Sequence, residues 1–73
     1  RNDYWDIKGI AKFPDAEIEI YDRWGTQVFY SKGYDEKWDG TYEGNDLPMG
    51  SYYYIILLND GSEPKKGVVT IIR

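Results

Sequence analysis

The chain has 73 residues, a net charge of −4 and neither cysteine nor histidine. This length gives one small domain, in which no disulfide and no Cys/His zinc site can stabilise the fold. The acidic balance excludes a binder of nucleic-acid backbones, and no apolar run approaches the roughly 20 residues of a membrane span. Packing must hold the fold, and 18% of the residues are aromatic.

Apolar and polar side chains alternate in the first half of the chain. A short strand is predicted from Tyr4 to Ile7. Ala16, Ile18 and Ile20 alternate with acidic residues and Tyr21, which is typical of a strand with one buried face. A Val-Phe-Tyr strand is predicted from Gln27 to Ser31. No segment has the pattern of a ten-residue helix.

The two strongest strands are predicted at residues 50–58 and 68–72. Asp60 and Gly61 lie between them, and Asp-Gly accepts the positive φ angles of a type I′ turn. We therefore expect a hairpin with a two-residue loop. Pro64 lacks a backbone N–H, which predicts that the last strand starts there at a sheet edge.

A two-residue loop fixes the register of this hairpin. Tyr52 then lies opposite Val69, and Tyr54 lies opposite Gly67. One face of the hairpin is apolar and is predicted to face the core, while the other face is mixed. The predicted core face consists of Tyr52, Tyr54, Ile56, Val69 and Ile71.

The turns between strands carry three motifs with structural explanations. Asp22 and Asp39 can accept backbone N–H groups in Asx turns. Pro48 fixes φ ahead of the strand at residues 50–58, and Gly50 permits the bend. Short strands separated by such turns indicate an all-β, immunoglobulin-like antiparallel β-sandwich. The residues assigned to these structural motifs are Asp22, Arg23, Trp24, Gly25, Trp38, Asp39, Gly40, Pro48, Gly50, Tyr52, Asp60 and Gly61.

The polar residues do not form a pattern that indicates catalysis or metal binding. The acidic residues lack the ligand spacing of a calcium loop, so a structural or solvated role is favoured. A carboxylate pair has little room for a substrate cleft in so small a domain. Without His or Cys, the three serines Ser31, Ser51 and Ser62 have no partner base. We expect no catalytic residue, no metal site and no cofactor.

The aromatic residues leave two interpretations open. Trp5, Trp24, Tyr34 and Trp38 can form a flat platform that stacks on sugar rings. Alternatively, a small domain without cysteine uses these rings as core and edge cover, which is favoured. A carbohydrate-binding or adhesive module therefore remains an alternative function.

The ordered set of motifs resembles the type B C-terminal sorting domain of the type IX secretion system of Bacteroidota, also called the gliding-motility-associated C-terminal domain. The resemblance covers essentially the whole chain and implies about six or seven short strands. The motifs are Asn2-Asp3-Tyr4-Trp5, Ile18 to Gly25, Gly33-Tyr34-Asp35, Trp38-Asp39-Gly40-Thr41, Pro48-x-Gly50-x-Tyr52-Tyr53-Tyr54 and Gly67 to Arg73.

This resemblance implies a sorting function without chemistry. The expected unit is a single C-terminal sorting domain, residues 1–73, cut from a longer secreted or surface protein. Its covalently linked cargo would pass through the periplasm and be sorted across the outer membrane to the cell surface or the medium. The implied partners are the type IX machinery and a PorP/SprF-like outer-membrane protein, with no nucleic acid and no membrane span in the domain itself.

The last strand is the predicted recognition surface, because a sheet edge can pair with a partner strand through its backbone. The proposed residues are Lys65, Lys66, Val68, Thr70, Ile72 and Arg73. The alternative is that these residues only complete the sheet. The motif frame is also similar to the immunoglobulin-like domain of flagellar hook-capping proteins, which implies a structural spacer instead.

Overall fold

The computed structural model describes residues 4–72 and contains six β-strands and one turn of 3₁₀ helix. The predicted all-β class is confirmed. The elements are η1 (Ile10–Lys12), β1 (Glu17–Tyr21), β2 (Gln27–Lys32), β3 (Thr41–Tyr42), β4 (Asn45–Asp46), β5 (Gly50–Leu57) and β6 (Lys65–Ile71).

The strands form a small antiparallel β-sandwich, as predicted. Four strands pair in the order β2-β1-β5-β6, and β3 pairs with β4 in a second, two-stranded sheet. The strands β1 and β5 therefore occupy the centre of the large sheet, and β2 and β6 lie at its edges. Edge position leaves one side of each of these strands free of ladder hydrogen bonds.

The predicted strand from Tyr4 to Ile7 is wrong. This segment makes a backbone hydrogen bond from Trp5 N to Trp38 O, at 2.9 Å, but no ladder follows from it. At Gly9 the chain takes a left-handed conformation, with φ of 82°, and enters η1.

The predicted register of the β5–β6 hairpin is confirmed, but its predicted turn is wrong. Tyr52 pairs with Val69 and Tyr54 with Gly67. The strands end at Leu57 and Lys65, so the loop is longer than two residues. Positive φ angles occur at Asn59 and Gly61 and not at Asp60, which does not fit a type I′ turn over Asp60 and Gly61.

A turn with positive φ at both central residues occurs instead in the β3–β4 hairpin. Tyr42 pairs with Asn45, so Glu43 and Gly44 form a two-residue loop. Their φ angles are 53° and 83°, which is the signature of a type I′ turn.

The ladder also moves the limits of the last strand. β6 begins at Lys65 instead of Val68, because Lys65 and Lys66 pair with Ile56 and Ile55 of β5. Its final pair joins Ile71 to Gly50, so Ile72 lies beyond the strand. Arg73 lies outside the described residues.

The core lies between the large sheet and the segments that cover it. Ile18 and Ile20 are fully buried, and Tyr52 and Ile56 are buried beside them. The predicted core face is confirmed, since the other three members pack against this cluster while half-buried. β2 also contributes to the core. A bulge in β2 opposite Ile20 and Tyr21 lets the consecutive residues Val28 and Phe29 both pack against the core.

Gly67 is the point where β6 passes under the ring of Tyr54. A Cβ atom placed on Gly67 would lie 2.6 Å from Tyr54 Cζ, far inside van der Waals contact. The ring cannot move away freely, because its centroid lies 5.0 Å from that of Trp5. Gly67 is thus required by the packing of an aromatic ring across the hairpin.

We predict that Gly67→Ala destabilises the domain by about 1–3 kcal/mol, the usual cost of forcing an extra carbon into packed structure. Urea unfolding followed by tryptophan fluorescence measures the change. Thr70→Ala, on the exposed face of the same strand, is the control and should change stability by less than about 0.5 kcal/mol. Equal stability of Gly67→Ala and the parent chain would contradict this packing argument.

Candidate recognition surface

The β6 edge, defined as Lys65, Lys66, Val68, Thr70 and Ile72, is exposed along its length. β5 pairs with β6 on one side, and no other described strand pairs with it on the other. The position of Pro64 directly before β6 agrees with the predicted start at a sheet edge. The sequence-predicted residues that the structure describes therefore lie together, on one accessible strand and at Ile72 directly after it.

The β6 edge is continuous with an apolar part of the outer sheet face. Val68 is 55% exposed and pairs with Tyr53, which is 49% exposed. Lys66 pairs with Ile55 on the same face. Alternation along the strands places these side chains away from the core. The surface beside the β6 edge thus combines two cations, an aromatic ring and aliphatic side chains.

Farther from the β6 edge, the same face carries two tyrosine–glutamate pairs. Tyr30 Oη donates to Glu17 Oε1 at 2.9 Å, and Tyr21 Oη donates to Glu19 Oε1 at 2.7 Å. Hydrogen bonds from Asn59 and Tyr30 lower the pKa of Glu17. The pKa values of Tyr21 and Tyr30 are raised, mainly because each hydroxyl donates to a carboxylate.

The loop before β6 is shaped by Asp60. Its carboxylate accepts hydrogen bonds from the backbone N–H, at 3.0 Å, and the hydroxyl of Ser62. These bonds lower the pKa of Asp60, with the hydroxyl as the largest cause and Lys65 as a small one. Asp60 therefore stays ionised and fixes the loop that leads into the β6 edge.

A groove of about 230 Å³ lies on the other side of β6. It is lined by the end of β6 from Val69 to Ile71, by Ile72 and by the segment from Trp38 to Thr41. Tyr4, Trp5 and Asp46 complete the lining. Asp39 Oδ1 accepts from Thr41 N at 3.2 Å and from Thr41 Oγ1 at 2.7 Å, as expected for an Asx turn. The predicted motif Trp38-Asp39-Gly40-Thr41 thus faces the last strand across this groove.

Trp5, Tyr34 and Trp38 form a closed ring of hydrogen bonds behind the groove. Trp5 N donates to Trp38 O at 2.9 Å, and Trp38 N donates to Tyr34 Oη at 3.0 Å. Tyr34 Oη in turn donates to Trp5 O at 2.6 Å. Burial raises the pKa of Tyr34, so its hydroxyl remains neutral and able to donate. These three hydrogen bonds hold the segment before η1 against the loop that contains Trp38.

The predicted motif from Asp22 to Gly25 lies elsewhere, at the turn between β1 and β2. Trp24 is 79% exposed, whereas Trp38 is 3% exposed and packs at 5.9 Å from the ring of Tyr52. Tyr34 is also buried, and Trp5 is half-buried. The four aromatic residues therefore do not form one flat surface for sugar rings. Trp5, Tyr34 and Trp38 cover the core, whereas Trp24 is exposed to solvent.

Within residues 4–72 no group of three or more acidic side chains is placed to hold a metal ion. The same residues contain no helix with the length and apolar character needed to cross a membrane.

The sequence profile of the CHU_C type IX secretion signal domain matches residues 1–71. No curated protein and no solved structure matches the chain. The profile covers nearly the whole chain, and the chain therefore belongs to the CHU_C type IX secretion signal domain family. Its function is that of a sorting signal for type IX secretion, which leads to export to the cell surface or the medium.

Two features of this surface were not found from the sequence. The hydroxyl of Tyr34 joins two segments that are far apart in the chain, and no local pattern marks such a bond. The pairing of Glu17 and Glu19 with tyrosines was also missed. Its signal was available, since carboxylates alternate with apolar residues in β1, and tyrosines occur at the end of β1 and in β2.

We predict that Tyr34→Phe lowers stability by about 1–3 kcal/mol, because it leaves the buried Trp38 N–H without its acceptor. Chemical denaturation of the purified domain measures the loss. Tyr42→Phe removes an exposed hydroxyl and should stay within about 0.5 kcal/mol of the parent. A Tyr34→Phe variant as stable as the Tyr42→Phe control would refute the role of the hydrogen-bond ring.

We predict that Glu17 contributes to acid sensitivity. Its folded pKa lies below the ordinary value of 4.5, so its stabilisation is present above that value and is lost as pH falls through the folded pKa. Glu17→Gln should therefore show a smaller fall in Tm than the parent between about pH 7 and about pH 3. Glu36→Gln is the control, and an identical acid profile for both variants would contradict the assignment.

Proposed function

We propose that the β6 edge is the surface that the type IX machinery reads, and that a PorP/SprF-like outer-membrane protein is the partner. In this proposal the chain is a single domain, attached to a longer cargo protein that passes through the periplasm before export. The domain performs no reaction. The observation that carries the proposal is the exposure of a complete edge strand with two cations and aliphatic side chains.

An edge strand gives a partner two kinds of contact. Its free backbone N–H and C=O groups can pair with an added strand and supply affinity. Its alternating side chains supply specificity, because they point to opposite faces of the sheet. On β6, the side chains of Lys66, Val68 and Thr70 lie on the outer face, and residues 69–71 line the groove.

The groove supports this mode of binding. A strand added to β6 would extend the sheet, with one of its faces toward the Trp38–Thr41 loop. The ring of Trp38 is fixed there by a hydrogen bond from its Nε1 to Thr41 O, at 3.2 Å. A preformed wall lowers the ordering cost of binding, because the domain need not rearrange.

The test is export of the full protein that carries this chain, in a cell with a type IX system. The variant Lys65→Glu/Lys66→Glu reverses the charge of the β6 edge, and we expect most of the protein to be retained inside the cell. The control, Lys8→Glu/Lys12→Glu, makes the same change in net charge before and within η1. We expect normal export of the control.

Circular dichroism and thermal unfolding of both double variants verify that the fold is kept. Substitutions at such exposed positions usually change stability by less than about 0.5 kcal/mol. Normal export of the folded Lys65→Glu/Lys66→Glu variant would reject the β6 edge as the recognised surface. Equal retention of both variants would show that net charge matters and that this strand does not.

A further inference from the structure

Trp24 is an exposed tryptophan that the fold does not use. It is 79% exposed, which only Ile72 equals among the large apolar residues described. Every other tryptophan of the chain is buried or half-buried in the core. Trp and Arg are the side chains most enriched in the energetic centres of protein interfaces, and Arg23 is next to Trp24.

The turn that carries Trp24 is rigid without help from the ring. Asp22 Oδ1 accepts from Trp24 N and Thr26 N, each at 2.9 Å. The backbone closes the turn, since Asp22 N donates to Thr26 O and Gly25 N donates to Asp22 O, both at 3.0 Å. Gly25 has φ of 84°, which suits glycine. The turn therefore presents the ring at little cost in ordering on binding.

Arg23 lies over Trp24 and adds a positive charge. Its Cζ is 5.2 Å from the centroid of the indole ring, within the range of a cation–π contact. Its Nη2 also lies against the start of β5, 3.7 Å from a Cβ placed on Gly50. No ion pair joins Arg23 to an acidic residue within residues 4–72, so its charge is available to a partner.

The tip, defined as Arg23 and Trp24, lies at the same end of the sheet as the last residues of β6. Arg23 lies beside Gly50, and Gly50 pairs with Ile71. Ile72, which follows Ile71, is the other side chain that is 79% exposed. A single partner surface can therefore reach both Trp24 and the end of the β6 edge.

We propose that the tip is a second contact of this domain with a protein of the secretion machinery. The exposed indole enters an apolar pocket of that protein, and carboxylates at the rim of the pocket pair with Arg23. The inference rests on the proposed function. A protein fits better than an anionic membrane, because one cation on a domain of net charge −4 gives little attraction to anionic lipid.

The experiment measures export of the full protein with Trp24→Ala, Trp24→Phe, Arg23→Glu or Arg23→Lys. We expect Trp24→Ala and Arg23→Glu to lower the ratio of exported to retained protein by about tenfold or more, as truncation of an interface centre does to affinity. Trp24→Phe and Arg23→Lys keep ring and charge respectively, and should retain much of the export. Tyr42→Ala, an exposed ring on β3, is the control and should be exported normally.

Thermal unfolding of each purified variant separates a lost contact from a lost fold. If Trp24→Ala is unstable, the Arg23→Glu variant decides. Low export of Arg23→Glu with an unchanged unfolding temperature supports the contact, and normal export of Arg23→Glu overturns it. Normal export of folded Trp24→Ala also overturns it. In that case low export of Lys65→Glu/Lys66→Glu shows that the β6 edge alone is read, so the two proposals can fail separately.

A membrane is tested directly with vesicles of phosphatidylethanolamine and phosphatidylglycerol. We expect no binding of the parent protein above that of Trp24→Ala. Vesicle binding by the parent that Trp24→Ala loses would overturn the assignment of the tip to a protein partner.

Discussion

The structure depends on the ring of hydrogen bonds among Trp5, Tyr34 and Trp38. The four-stranded sheet has a single covering layer, and most of that layer is loop. One phenolic hydroxyl accepts from one segment and donates to another, and so holds the layer closed over Ile18 and Ile20. A buried hydroxyl that makes both bonds avoids the cost of unpaired polar groups. Because the domain has no disulfides, these hydrogen bonds are needed to keep the covering loops packed on the core.

This closure also determines which surfaces remain free. Because the aromatic loops cover the core, the domain presents its outer sheet face, the β6 edge and the tip to the surroundings. An unpaired strand edge and an exposed indole are both features suited to recognition by another protein. That character agrees with membership in a family of secretion signals.

Prediction from the sequence succeeded where the information was local or periodic. Alternation of side chains gave the β1 strand and the core face of the β5–β6 hairpin, since period two determines which side chains share a face. Asx turns at Asp22 and Asp39 were also predicted, because a short carboxylate reaches the N–H groups two residues ahead. The predicted strand at Tyr4 failed, because a strand requires a partner that local sequence does not reveal.

The sequence by itself determined the all-β class, the register of the last hairpin and the family frame of the chain. Each of these follows from residue types at fixed spacing. Only the tertiary structure decided that Trp38 is buried while Trp24 is exposed, and that Gly67 lies beneath Tyr54. The physical reason is that a tryptophan has the same chemistry in either place. Its role depends on contacts with residues distant in the chain, which exist only after the sheet and its cover have come together.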